Sequence, residues 1–131
     1  MAKTVAEKLL IKPDTTVWSS DPARLELVGP LPAGARRVDA PGQARTALVF
    51  ADDAAAVREV MGSLRDQQAK AEVLWVAYRK ANRADINRDS LWPIMAEYGM
   101  RPVSQVAVDE EWSALRFRAL REGETPFTGG R

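Results

Sequence analysis

Two short apolar runs, Thr46–Phe50 and Val73–Tyr78, bracket a segment whose apolar residues recur at helical spacing. Ala56, Val57, Val60, Met61 and Leu64 share one face of a helix placed from about Asp53 to Gln68. A run that is apolar throughout, rather than alternating, suits a strand buried on both faces. Two such strands joined through a helix form a crossover unit of a parallel sheet. That unit narrows the chain to the α/β class.

The flanking segments extend the pattern. Residues 4 to 10 read as a short helix that ends before Lys12-Pro13, because the residue ahead of a proline avoids helical angles. Thr15–Ser19 is β-branched and aromatic, and reads as a strand. Asp21-Pro22 sets a capping carboxylate ahead of a proline suited to the first helical position. The helix Pro22–Val28 is expected to bury Leu25 and Val28 and to stop at Gly29-Pro30. Arg36–Asp39 is a weak second strand, and Pro41-Gly42 turns the chain. Asp52 is expected to cap the helix that follows Phe50.

After Tyr78 comes a polar, basic loop. Pro93 is tolerable only near the start of a helix, so the next helix begins near Asp89 or Ser90 and residues 79 to 88 stay irregular. Gly99 ends that helix. Pro102–Val108 and Trp112–Leu120 are strands joined by Asp109-Glu110-Glu111, a connection short enough to require an antiparallel hairpin. Residues 1 to 120 form one domain, and the Gly-rich tail 121 to 131 is expected to be mobile.

Composition removes several chemistries. The chain of 131 residues contains no cysteine and no histidine. Serine–histidine and cysteine–histidine nucleophiles and the usual zinc ligand sets are therefore excluded. Disulfides are excluded too, and no tight carboxylate motif suggests a metal. The formal net charge of +1 gives no global attraction to nucleic acid. No apolar run is long enough for a membrane span, and the charged start lacks a signal-peptide core, so a cytoplasmic location is expected.

Four segments carry a family resemblance. They are Lys8-Leu9-Leu10-Ile11-Lys12-Pro13, Leu27-Val28-Gly29-Pro30-Leu31-Pro32, Leu74-Trp75-Val76-Ala77-Tyr78 with Lys80, and Val106-Ala107-Val108-Asp109-Glu110-Glu111-Trp112-Ser113-Ala114-Leu115-Arg116-Phe117. Over most of its length the chain resembles an uncharacterised bacterial family of small, truncated methyltransferase-like (Rossmann-like) proteins. The resemblance implies a single-domain α/β fold with a mostly parallel sheet. The implied strand order is 2-1-3-4-6-5, with the last strand antiparallel and helices on both faces. It implies no established activity, so no catalytic residue is carried over. Arg79 stands where many relatives have a proline before the lysine.

In open α/β sheets ligands bind beyond the carboxyl ends of the strands, and a nucleotide's approach is eased by glycine after the first strand. Here that turn is Trp18-Ser19-Ser20-Asp21-Pro22, with no glycine and a bulky tryptophan. S-adenosylmethionine binding is therefore doubtful, and no cofactor is expected. Asp39 holds the position of a ribose-binding acid, where a turn role serves equally well.

The candidate binding residues are those around the expected crevice: Trp18, Ser19, Ser20, Asp52, Lys80, Arg83, Asp85, Asn87, Arg88 and Trp112. The cations of the loop suit an anion. Equally, Asp85 and Asn87 suit local backbone bonds, and the arginines suit nearby acids. Trp112 reads either as a stacking platform or as a half-buried ring closing the sheet edge. An exposed tryptophan there would let the C-terminal hairpin pair with a second copy. The leading expectation is a non-enzymatic domain that binds an anionic small molecule or a protein partner. The alternatives are a small adenosyl-cofactor-dependent transferase without the glycine loop, and a nucleic-acid-binding module, which the near-neutral charge disfavours.

Overall fold

A computed structural model describes residues 4–66, 71–80, 88–119 and 123. Six strands form one sheet: β1 (Thr16–Ser19), β2 (Arg36–Arg37), β3 (Thr46–Phe50), β4 (Val73–Arg79), β5 (Met100–Ala107) and β6 (Trp112–Ala119). Their order is β2-β1-β3-β4-β6-β5. The pairs β1–β2, β1–β3 and β3–β4 are parallel, whereas β6 runs antiparallel to both β4 and β5. The expected order and the antiparallel last strand are both observed.

Alternation along each strand divides the core in two. Ala47, Val49, Leu74, Val76, Leu115 and Phe117 face α2 (Ala54–Asp66) and α3 (Arg88–Ala96). Leu48, Phe50, Val73, Trp75, Ala77, Trp112 and Ala114 face the opposite layer. That layer is built from α1 (Val5–Lys8) and the 3-10 helix Pro22–Val28. The strands β3 and β4 are buried on both faces, as continuous apolar runs require.

Local chemistry sets the element ends. Thr4 and Glu7 form a reciprocal capping box on α1. The Asp21 carboxylate accepts from the Ala23 N–H and Pro22 follows at the first helical position, as expected, but the segment winds as a 3-10 helix. Leu25 there is half-buried rather than fully buried. Asp53, not Asp52, caps α2: its Oδ1 accepts from the Ala56 N–H at 2.8 Å. Asp52 is thereby free to point elsewhere. Pro93 lies inside α3, which begins one residue earlier than the expected start. The lost bond falls at the carbonyl four residues back, still near the helix start. Gly99 takes φ +72° after α3, as a left-handed cap. Arg79 is the last residue of β4 and Arg88 the first of α3, so neither is irregular as expected. Of the expected mobile tail only Gly123 falls among the described residues.

One glycine is fixed by geometry. Gly34 has φ +76°, and a Cβ there would sit 1.9 Å from the Asp14 carboxylate oxygen. Asp14 is itself at φ 59° and donates its N–H to the Ala33 carbonyl at 3.0 Å. Gly34→Ala is expected to cost about 1–2 kcal/mol from left-handed strain, with displacement of Asp14 in addition. Gly62 lies within α2 with open space around it. Gly62→Ala should instead stabilise by about 0.5–1 kcal/mol. Urea unfolding of the two variants checks the contrast; equal midpoints would refute it.

Candidate functional site

The carboxyl ends of β1, β3 and β4 meet the turn between β5 and β6. Arg79 closes β4 and lies directly opposite Trp112 of β6 in the antiparallel register. Residues opposite one another on paired strands project from the same face. The Arg79 guanidinium accordingly lies 4.8 Å from the Trp112 ring centroid. Arg24, from the 3-10 helix after β1, lies 4.9 Å from the same ring. Phe50 meets Trp112 edge-on, with centroids 5.9 Å apart and planes at 78°. Trp112 is thus a buried floor, 2% exposed, under two cations.

Carboxylates close this arrangement. Asp52 accepts from Arg24 at 2.9 Å and from Arg79 at 3.4 Å. Asp21 adds a contact to Arg24 at 3.3 Å, and Glu111 pairs with Arg79. Asp109 shapes the turn by accepting from the N–H groups of Glu111 and Trp112. The two arginine side chains are 26% and 30% exposed, and that of Asp52 is 53% exposed. One solvent-facing carboxylate therefore bridges two forks held against an aromatic ring.

Hydrogen bonding from Arg24 is the main reason the Asp52 carboxyl lies below its usual value near 3.8. Burial opposes it as the next largest influence, and the charge of Arg24 together with the hydrogen bond and charge of Arg79 lowers it further. A carboxyl with a depressed folded pKa contributes its stability in full above the unfolded value and loses it as pH falls through the folded one. The Asp52 contribution is therefore complete at neutral pH and fades in acid below about 3.8. At this exposure it amounts to less than about 1 kcal/mol. Asp52→Asn should lower stability at pH 7 by no more than that, and flatten the acid limb. Urea titrations of both proteins between pH 2 and 7 test this; an unchanged acid limb contradicts it.

The expected site residues separate into groups. Asp52 and Trp112 meet through Arg24 and Arg79. Trp18 does not join them, because it packs half-buried against the core on the α2 side of the sheet. Ser19 is buried, and its hydroxyl donates to the Asp21 carbonyl while accepting the Asp21 N–H. The Ser20 hydroxyl accepts from the Phe50 N–H at 2.8 Å. Lys80 donates from Nζ to the Asp109 carbonyl at 2.6 Å. Arg83, Asp85 and Asn87 lie outside the described residues, and of Arg88 only the backbone is described. Asp39, the candidate ribose acid, is exposed and pairs with Arg37 at 2.9 Å.

Trp112 departs from the expected setting of a half-buried ring closing the sheet edge. It is neither half-buried nor at an edge, since β6 lies between β4 and β5. The hairpin therefore carries no exposed tryptophan at this position, and β5, not β6, is the edge strand on this side of the sheet. Arg24, Arg79 and Glu111 were absent from the expected set, although Arg79 belongs to the basic loop that pointed to this end of the sheet. Arg24 had one local signal, its position three residues after the capping Asp21.

The turn after β1 leaves little to cradle a cofactor. The Ser20 N–H donates to the Leu48 carbonyl, that of Asp21 to Ser19, and those of Ala23 and Arg24 to Asp21. Pro22 has no N–H to offer. With no glycine present, these residues do not fit the adenosyl or pyrophosphate groups that such turns bind by close backbone approach. Among the described residues no group of three metal-ligating side chains occurs. No helix among them is long and apolar enough to cross a membrane.

No protein-family model and no curated protein matches the chain. Solved structures do match it. A Streptococcus agalactiae protein of the NADB-Rossmann superfamily superposes with TM-score 0.56 at 13% identity, over 98% of this chain and 72% of its own. The Bacillus subtilis m1A22 tRNA methyltransferase gives TM-score 0.52 at 13% identity, over 93% and 68%. A Streptococcus pneumoniae protein proposed to be a tRNA (m1A22) methyltransferase, solved with S-adenosyl-L-methionine, gives 0.57 at 12% identity, over 98% and 76%. Sheet order, antiparallel last strand and these likenesses together establish a methyltransferase-like Rossmann fold.

Proposed function

We infer that the chain is a non-catalytic binding domain on a methyltransferase-like scaffold, and that it takes an anionic group at the Arg24–Arg79 pair. The observation that carries this reading is the single exposed Asp52 carboxylate spanning both guanidiniums over Trp112. Guanidinium forks held by stacking are suited to oxyanions. Asp52 is a tethered stand-in for such an anion, and its exposure lets an incoming carboxylate or phosphate replace it. The internal bonds of the turn after β1 favour binding without methyl transfer, because no backbone donor there is left for an adenosyl cofactor.

The second reading is a small S-adenosylmethionine-dependent transferase. It is favoured by the Streptococcus pneumoniae neighbour, whose structure holds that cofactor. Titration calorimetry separates the two. Adenosine monophosphate should bind, Asp52→Ala should tighten it at least about tenfold, and Arg79→Gln should weaken it by a similar factor. S-adenosylmethionine should show no affinity tighter than millimolar. Sub-millimolar binding of that cofactor supports the transferase. Failure of the Asp52→Ala variant to bind the nucleotide overturns the anion site.

A further inference from the structure

Arg116 carries a polar atom that the fold does not satisfy. Its Nε is shut off from solvent, and among the described residues no acceptor reaches it. A guanidinium N–H withdrawn from water and left without an acceptor loses its hydration and gains nothing in return. Such orphans are rare in folded proteins, and each calls for a physical reason.

The sheet register shows what surrounds it. Arg116 faces the same side as Ala114 and Trp112, two and four residues earlier on β6. Its cross-strand neighbours are Trp75 of β4 and Ser104 of β5. Opposite residues project from one face, so the Ser104 side chain stands beside that of Arg116. Ser104 is exposed, and its hydroxyl has no partner among the described residues. Trp75 and Ala114 are fully covered, whereas Arg116 is half-buried, so the layer built on α1 thins out at this point. Neither β5 nor β6 contains an acidic residue. Arg101 and Arg118 form the next cross-strand pair on this face, but each makes other contacts, Arg118 with the Ala119 carbonyl at 3.1 Å. The unanswered donors are those of Arg116 and Ser104.

A phosphate group answers them by shape. Two of its oxygens match the parallel N–H groups on one edge of a guanidinium. Its tetrahedral centre leaves a third oxygen out of that plane, within reach of a neighbouring hydroxyl. A carboxylate spends both oxygens on the fork and leaves the hydroxyl unused. We propose that Arg116 and Ser104 form a phosphate site on the face of the sheet opposite α2 and α3. The phosphate accepts from Nε and one Nη of Arg116 and from the Ser104 hydroxyl. Seating it turns the half-buried side chain outward, and the orphaned N–H lowers the cost of that movement. The site shares no residue with the Arg24–Arg79 pair, so either can fail alone.

Proton–nitrogen NMR of the full chain tests the assignment. The Arg116 Nε–H signal is identified by its loss in Arg116→Lys and, independently, in Arg116→Met. It should shift and saturate as inorganic phosphate is added. Acetate at equal ionic strength should bind at least about tenfold more weakly. Ser104→Ala should weaken phosphate by about threefold to tenfold and leave acetate unchanged. Arg79→Gln should leave the titration as it is, which separates this site from the one at the carboxyl ends of the strands. Phenyl phosphate distinguishes the sources: tighter binding than inorganic phosphate assigns the site to a phosphomonoester, weaker binding to the free ion. An Arg116 signal that phosphate leaves unmoved overturns the proposal. Equal binding of acetate and phosphate, or an undiminished affinity in Ser104→Ala, overturns it as well.

Discussion

Trp75→Ala is expected to remove about 3–5 kcal/mol of stability, a large part of the roughly 5–15 kcal/mol that a domain possesses. Trp75 is 1% exposed at the centre of the layer facing α1. Its indole N–H also donates 2.8 Å to the Leu9 carbonyl, 66 residues away in sequence. That bond joins the chain's first described helix to a central strand. The substitution therefore opens a cavity and orphans a buried carbonyl at once. Trp75→Phe separates the two effects. It keeps most of the ring packing but leaves the Leu9 carbonyl without its donor, for about 1–3 kcal/mol. Urea unfolding followed by far-ultraviolet circular dichroism measures both. A Trp75→Phe variant as stable as the wild type would show that the bond contributes nothing.

Trp112→Ala is expected to cost a similar amount, about 3–5 kcal/mol, with consequences at the proposed anion site. The ring is 2% exposed, packs edge-on against Phe50 and supports both Arg24 and Arg79. Each stacked cation contributes about 0.5–1 kcal/mol at this exposure. A double-mutant cycle of Trp112→Ala with Arg79→Gln should return a coupling of that size. The same variant should lose nucleotide binding even at temperatures where it remains folded, because the forks lose the surface that orients them. A coupling energy near zero would mean that the arginines are held by Asp52 and Glu111 alone.

Much of the fold was legible because it depends on local pattern. The continuous apolar runs at Thr46–Phe50 and Val73–Tyr78 identified the doubly buried strands, and the short link at Asp109-Glu110-Glu111 identified the hairpin. Asp21-Pro22 and Gly99 marked helix ends from backbone preferences alone. The site was less legible because its partners come from distant segments. Choosing between Asp52 and Asp53 as the cap requires the direction in which β3 leaves the sheet, which adjacent carboxylates do not encode. Trp112 reads from the sequence as a half-buried ring at the sheet edge, on a face of β6 that it shares with Arg116 and Arg118. Those arginines lie toward the end of the strand, and its first four residues are buried on both faces. The pairing of Arg24 with Asp52 spans 28 residues, and no periodicity signals it.

The strand order has a further consequence, for synthesis on the ribosome. The sheet's sixth strand inserts between the fourth and the fifth. While the chain emerges, β5 has no neighbour to join, and β4 presents one bare hydrogen-bonding edge although both its faces are destined for burial. An apolar strand with an unpaired edge is a template for pairing between chains. The nascent protein thus carries its greatest exposure to misassembly until Trp112–Ala119 has been made, and the hairpin acts as a latch that shuts the sheet only at that late step.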